Sequence, residues 1–515
     1  MVQPFPVRES SILSLSELIS RLLGLLFLAR FVTTLGLAES AEFRMVLPLI
    51  GVAATFGSIG LPQALTRLFA SARLEVGRPV PRSLLRTALW GTACAVGFAL
   101  LSLLLMSGLA IQTGIELRAF VRLAETAVPL LLLICVTGSL RGMLLGLGST
   151  YTPALAQVVE VGVRLLALIY LLPALTLDHA QAAEVGILTL TAGEGVAALL
   201  LAAMLWRLMQ KRGVLRDRGK SGLGSVLRMS LAPTGQSLLA SLGYAFELPL
   251  AHELLTKTHG ETAASQLVAE YATIALPLLC APMVLTDGIA TALLPIASAE
   301  RAVSGSRAFA VHLRRIIGVV MMVAVPTTGV VWVLAPTLSG WFQAPGAALL
   351  LLLLAPLALP LYLQAPLATL LQAQGRSRAL LYAGLLGDVV RLGAIFVTFG
   401  LWELGRAGFA LAFSATALVQ TGTMLAMLQR YTALAVPWRT LISSCQAALG
   451  MVALLLVALH APLPYSFANL PILWSAAALL VGIGTLLLAQ EITPQSLSRL
   501  PLLGILFETR RKRGG

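Results

Sequence analysis

Apolar stretches of twenty residues or more recur along nearly the whole chain, and they leave few folds open to it. A helix needs about 20 mainly apolar residues to cross the hydrocarbon of a bilayer, and it survives there because its backbone groups bond to one another. Fourteen such segments are read: 12–35, 43–66, 87–111, 124–146, 151–175, 184–209, 227–254, 266–297, 312–336, 346–373, 379–401, 408–428, 440–461 and 471–490. Membrane strands would alternate apolar and polar residues, and these runs do not. The expected fold is therefore all-α, a polytopic integral membrane protein with 14 transmembrane helices. Composition agrees, with 58% hydrophobic and only 11% charged residues, against about 25% charged in soluble domains.

An even number of spans puts both termini on one side, and Lys and Arg choose the side. With the termini inside, the inner segments hold 22 of the 36 cations and the outer ones 4, namely Arg118, Arg122, Lys257 and Arg406. The N- and C-termini are thus expected to be cytoplasmic, and the net charge of +14 is explained by basic loops facing anionic membrane lipids. No nucleic acid partner is needed to account for it. The first apolar stretch carries Glu17 and Arg21 and runs past 15 residues, unlike a cleavable signal.

Two stretches repeat. Gly148 to Arg164 resembles Gly375 to Arg391, with the glycine and arginine 16 apart in both and an offset of 227. Pro48 with Leu61-Pro62 resembles Pro282 with Leu294-Pro295 at nearly the same offset. Each match pairs a span with the one six later, which implies parallel repeats about an axis along the membrane normal. The expected organisation is an N-lobe (1–210, helices 1–6), a basic cytoplasmic linker (211–222) and a pseudo-twofold-related C-lobe (223–432, helices 7–12). A C-terminal helix pair (433–490) and a basic cytoplasmic tail (491–515) follow.

An ionisable side chain in the bilayer core is costly unless it is paired or faces water. Glu17 with Arg21, Glu160 with Arg164 and Asp388 with Arg391 sit one turn apart, on one helix face. The last two pairs occupy the repeated position, where self-neutralised pairs would brace each lobe alike. Arg30 and Arg44 have no acid at helical spacing; they either snorkel to the outer surface or face a polar cavity. Glu247 and Asp287 have no cation one turn away and call for a partner across the lobes, a proton or a cation. If spans 1, 2, 7 and 8 face each other, Arg21, Arg30 and Arg44 present guanidinium forks suited to pyrophosphate.

Sites for soluble chemistry are missing. There is no G-x-x-x-x-G-K-[ST] and no H-E-x-x-H, and five scattered histidines have no metal spacing. Cys94, Cys135, Cys280 and Cys445 lie in apolar runs and read as small apolar residues. The chain is not read as an enzyme, and no cofactor or metal is expected. Energy would come from Na+, H+, the membrane potential or the substrate gradient.

Several motifs resemble one family. Ile19-Ser20-Arg21-Leu22-Leu23-Gly24 is similar to its I-S-[KR]-x-L-G start, and Gly60-Leu61-Pro62-Gln63-Ala64-Leu65-Thr66-Arg67 to its G-L-P-x-A-x-[ST]-[KR]-L stretch. Leu140-Arg141-Gly142, Thr152-Pro153-Ala154 and Gln157-Val158-Val159-Glu160 through Arg164 resemble its R-G…P-T-A…Q-V-x-E-x-x-x-R. Leu285 to Ala292 and Leu370 to Gly375 resemble its eighth and tenth spans. On these residues the chain resembles the stage V sporulation protein B-like polysaccharide transporters of the multidrug/oligosaccharidyl-lipid/polysaccharide flippase superfamily, which includes the lipid II flippase. The resemblance runs from about residue 10 to 430. It implies alternating access and export of an undecaprenyl-pyrophosphate-linked oligosaccharide, such as the peptidoglycan precursor, across the bacterial plasma membrane. It implies Arg21 as a cavity cation. Where lipid II flippases continue with an Arg-Asp pair, this chain has Phe27 and Leu28.

Substrate contacts are thus expected from Arg21, Arg44, Arg30 and Glu17, with Glu247 or Asp287 as the coupling or cavity acid. Cell-wall synthesis proteins are the expected protein partners. Two alternatives stand beside this reading: a cation-coupled multidrug exporter of the same superfamily, and a membrane-embedded glycosyltransferase or polymerase. The short outer loops count against the second.

Overall fold

The computed structural model describes residues 7–431, apart from 59, 76–79, 113–116, 175–181, 216–222, 284, 285, 288–304 and 375; beyond 431 it describes only 442 and 446. The expected helices 440–461 and 471–490 and the basic tail lie outside the described residues, as does most of the linker.

The described chain is almost wholly helical. In order come α1 (Val7–Leu35), α2 (Leu37–Ser58), α3 (Leu61–Glu75), the short strand β1 (Val80–Pro81), α4 (Arg82–Gln112), α5 (Leu117–Gly146), α6 (Tyr151–Ala174), α7 (Ala182–Arg212) and the short strand β2 (Val214–Leu215). Then follow α8 (Leu223–His259), α9 (Glu261–Ala269), a π-helical turn (Glu270–Ala275), α10 (Leu276–Cys280), α11 (Gly305–Trp341), α12 (Gly346–Leu354), α13 (Leu359–Ala373), α14 (Ser377–Ile395) and α15 (Arg406–Tyr431). Among the described residues eight helices are long and apolar enough to cross a membrane, and α12 with α13 would add a ninth.

Two expected spans differ from what the structure shows. The run 43–66 is broken: α2 ends at Ser58, Gly60 takes φ of 60°, and α3 begins at Leu61. Only glycine adopts that backbone without strain, so the apolar run cannot continue as one helix. The run 346–373 bends by 54° between α12 and α13. Pro356 and Pro360 lie at the bend, and each removes a backbone donor from the ladder.

Contacts divide the chain into two compact units, residues 19–249 and residues 1–18 with 250–515, the division falling within α1 and within α8. In the first unit, α3 lies along α5. Gly138, Gly142 and Gly146, spaced by four, form a flat face on α5. A β-carbon at Gly146 would sit 2.6 Å from the Thr66 carbonyl oxygen, and one at Gly138 3.2 Å from the Pro62 ring. Small residues at this spacing let membrane helices approach closely. Thr66 Oγ1 completes the joint by donating to the Pro62 carbonyl (2.8 Å) and the Gly142 carbonyl (3.2 Å). Leu61, Leu65 and Phe69 of α3, Ala88 and Ala95 of α4, and Met143 of α5 share one buried core, with Leu205, Leu208 and Met209 of α7 packed on it.

In the second unit, Leu363, Leu367 and Leu371 of α13, Leu380 of α14, and Met424 and Leu428 of α15 form the core. Tyr271 stacks on Phe409 at 4.3 Å, and Phe409 meets Phe399 edge-on at 4.7 Å. The Tyr362 hydroxyl, buried, donates to the Leu279 carbonyl at 2.8 Å.

Candidate functional site

The charged residues inside the helices fall into three groups. The first is a buried four-charge network joining α5, α6 and α7. Glu160 on α6 accepts from Arg164, one turn along the same helix, and from Arg141 on α5. Arg164 also reaches Glu194 on α7 at 3.4 Å. Thr137 Oγ1 donates to the second oxygen of Glu194 at 2.9 Å. Two acids and two bases make the cluster neutral, the only inexpensive way to hold four such groups in a bilayer. Gly193 makes room for it: a β-carbon there would sit 2.7 Å from the Glu160 carbonyl oxygen and 2.6 Å from Arg164 Cγ.

The second group lies in the other unit. Asp388 and Arg391 on α14 are an ion pair at 3.4 Å. Away from that pair, Arg406 at the start of α15 grips Glu270 of the π turn with two hydrogen bonds, from Nε at 2.7 Å and Nη2 at 2.9 Å. Gly346, at the start of α12, lies against both side chains.

The third group is the set expected to meet substrate. Arg21 and Glu17 are half-buried on α1, and Arg30 near its end is exposed. Arg44 on α2 is held inside, and its Nε is buried with no hydrogen-bond partner among the described residues. Ser20 Oγ on α1 is likewise buried and unsatisfied. Such atoms are uncommon, since a buried donor left unmade costs about 1–3 kcal/mol. Glu247 is buried on α8, and Asp287 is half-buried in a short helical turn. Glu247, Arg21, Arg30 and Arg44 belong to the first unit, Glu17 and Asp287 to the second.

Sequence spacing pointed to Glu160–Arg164 and Asp388–Arg391 because both partners share a helix. It did not point to Arg141 with Glu160, Arg164 with Glu194, or Glu270 with Arg406, whose partners come from different helices. The one available signal for Arg141 was its place in the Arg-Gly motif, with Gly142 packed on α3.

No metal-binding group of three or more His, Cys, Asp or Glu side chains occurs among the described residues. A hydroxyl meets an imidazole where Ser265 Oγ lies 3.1 Å from His252 Nε2. The helices and their paired charges suit a protein that carries something through the membrane.

The comparisons agree. Residues 7–301 match the model of the family described as polysaccharide biosynthesis protein. Stage V sporulation protein B of Bacillus subtilis (strain 168) is 26% identical over 420 residues, 79% of this chain and 80% of that protein. The structure of the lipid II flippase MurJ in an inward closed conformation superposes with a TM-score of 0.64 at 14% identity, over 93% of this chain and 97% of that one. An outward-facing multidrug resistance MATE transporter of the MOP superfamily superposes at 0.62 with 18% identity, over 84% and 97%. At these identities the likeness speaks for the fold alone, a bundle of membrane-spanning helices. The family match covers more than half of the sequence and includes α1, α2 and the whole four-charge network, so this chain belongs to the polysaccharide biosynthesis protein family.

Proposed function

We propose that this flippase-type transporter moves an undecaprenyl-pyrophosphate-linked oligosaccharide from the inner to the outer leaflet by alternating access. The observation that carries the reading is Arg44. Its guanidinium is held inside a membrane-embedded helix bundle with Nε unsatisfied among the described residues. A buried cation with a spare donor wants an anion, and a pyrophosphate offers several acceptor oxygens to a planar fork. Arg21, one turn from Glu17 on α1, would share the phosphate, with Arg30 helping nearer the outer surface. The sugar would follow the pyrophosphate while the lipid tail stays in the bilayer. The family and the stage V sporulation protein B relative support a polysaccharide unit or wall precursor as the cargo.

Coupling to Na+, H+ or the membrane potential completes the proposal, with Glu247, buried on α8, as the acid that would respond. The same buried acid is what favours a second reading, cation-coupled drug export. Neutralising Glu247 separates them: drug efflux that fails in Glu247→Gln supports the exporter.

The test is a precursor-accessibility assay in cells depleted of the native protein. Arg44→Gln and Arg21→Ala are each expected to reduce outer-leaflet precursor by about tenfold or more while the protein remains inserted, since a hydrogen bond to a charged group contributes about 1.5–3 kcal/mol. Full flipping by both variants overturns the phosphate-docking role.

A further inference from the structure

One end of the first unit carries a surface that the transport reading does not use. The exposed face of α4 runs Arg82, Arg86, Leu89, Trp90, Phe98 and Leu101. That of α7 runs Val196, Leu199, Trp206, Arg207 and Lys211. Both stripes are apolar along the span and turn cationic at one end, the first two turns of α4 and the last two of α7. A tryptophan marks each changeover, Trp90 at 62% exposed and Trp206 at 63%. Exposed apolar residues face lipid, and tryptophan gathers at the level of the headgroups. The cations therefore stand at the bilayer edge.

The two cationic ends are brought to the same end of the unit by the backbone. β1, directly before α4, pairs in parallel with β2, directly after α7, matching Val80 with Val214 and Pro81 with Leu215. Val80 donates to the Gly213 carbonyl at 3.1 Å, and Arg212 Nη2 donates to the Leu147 carbonyl at 2.8 Å. Leu84 and Leu85 of α4 and Leu205, Leu208 and Met209 of α7 pack on one core beneath.

Arg82, Arg86, Arg207 and Lys211 have no acidic partner among the described residues. On α7 the charges complement the C-terminal end of the helix dipole. On α4 they oppose it, since α4 has no acid in its first turn. Helix stability alone thus does not account for Arg82 and Arg86. Charge bias along the sequence assigns this end to the cytoplasm, where the leaflet is anionic.

We infer that Arg82, Arg86, Arg207 and Lys211 form a docking surface for anionic phospholipid headgroups, assembled by the β1–β2 pairing and levelled by Trp90 and Trp206. The lipid phosphates supply the missing counter-charge, and their acyl chains lie along the apolar stripes. Such a surface fixes the depth of the first unit in the inner leaflet.

The test uses the full-length protein in detergent, titrated with phosphatidylglycerol or phosphatidylcholine. Bound lipid is counted by native mass spectrometry, and the melting midpoint is followed in parallel. Wild type is expected to retain phosphatidylglycerol in preference to phosphatidylcholine and to melt higher with it. Each cation removed should weaken phosphatidylglycerol binding about fivefold. R82Q/R86Q/R207Q/K211Q should therefore lose on the order of a hundredfold or more. R82K/R86K/R207K should keep the binding, which shows that the fold survives at these exposed positions. K257Q, which removes a cation paired with Glu253 at 2.9 Å, should leave it unchanged. Equal binding of the two lipids by wild type overturns the inference. So does unchanged phosphatidylglycerol affinity in the quadruple variant, or an equal loss in K257Q.

Discussion

At the repeated position of α6 one glutamate serves two arginines on two helices; at the matching position of α14 an aspartate stands 3.4 Å from one arginine on its own helix. Both helices pack closely on the next one, α6 on α7 and α14 on α15. The difference lies in where the cross-helix bond is made. In the first unit it is part of the network, through Arg141 and Glu194. In the second unit one cross-helix bond stands apart from the repeated position, where Arg406 grips Glu270 at the start of α15. The Glu160 and Glu270 side chains are alike at 6% and 7% exposed, and Arg141, Arg164 and Arg406 are 32%, 22% and 37% exposed. A branched network ties three helices together, and a single two-bond clasp ties a helix end to a π turn. The same sequence repeat therefore supports two mechanical designs.

Glu160→Gln breaks the comparison most sharply. The substitution leaves Arg141 and Arg164 with Glu194 as their remaining acid, so one cation is uncompensated inside the bundle. Removing one member of a buried pair costs about 3–5 kcal/mol. The expected outcome is a large fall in melting temperature of the purified protein. Asp388→Asn, at the repeated position, should cost clearly less. Equal losses would mean that the two positions do the same work.

How much of this was readable from residues alone follows from the same contrast. Spacing within one helix is fixed by the 3.6-residue turn, so Glu160 with Arg164 and Asp388 with Arg391 stand out at once. Arg141 and Glu194 are 19 and 34 residues from Glu160, and nothing local joins them; only the packing of α5, α6 and α7 does. The break at Gly60 was hidden because Gly60-Leu61-Pro62 continues an apolar run, and hydropathy does not register a positive φ. Glu270 was hidden by its π turn, which shifts side chains away from the face that ordinary helical spacing assigns. The apolar runs and the intramembrane charges were visible because burial in lipid constrains composition directly.

Glu270→Gln addresses the second unit. One bond is lost, because an amide nitrogen cannot accept from Arg406, and the other weakens because its acceptor is neutral, but Arg406 is more than a third exposed and regains water. The expected loss is about 1–2 kcal/mol, below that of Glu160→Gln, and it should shrink further in high salt because the clasp is partly screened. A loss that is independent of salt would mean that Arg406 gains no help from solvent, and would remove the expected difference between the clasp and the network.

Thr137→Val is the mildest and most specific change. It keeps the shape of the α5 side chain and removes only the hydroxyl donor at 2.9 Å from Glu194 Oε2. Glu194 keeps Arg164 through its other oxygen, so the carboxylate is not stranded. The expected cost is about 1 kcal/mol, that of one hydrogen bond, read as a small shift in melting temperature. The informative measurement is the double variant with Glu160→Gln. If the four charges and the threonine act as one network, the two losses will not add, because neighbours in a shared network couple by about 0.5–3 kcal/mol. Additive losses would instead split the α5–α7 contact from the α5–α6 contact. The first unit would then hold two separate clasps and would resemble the second after all.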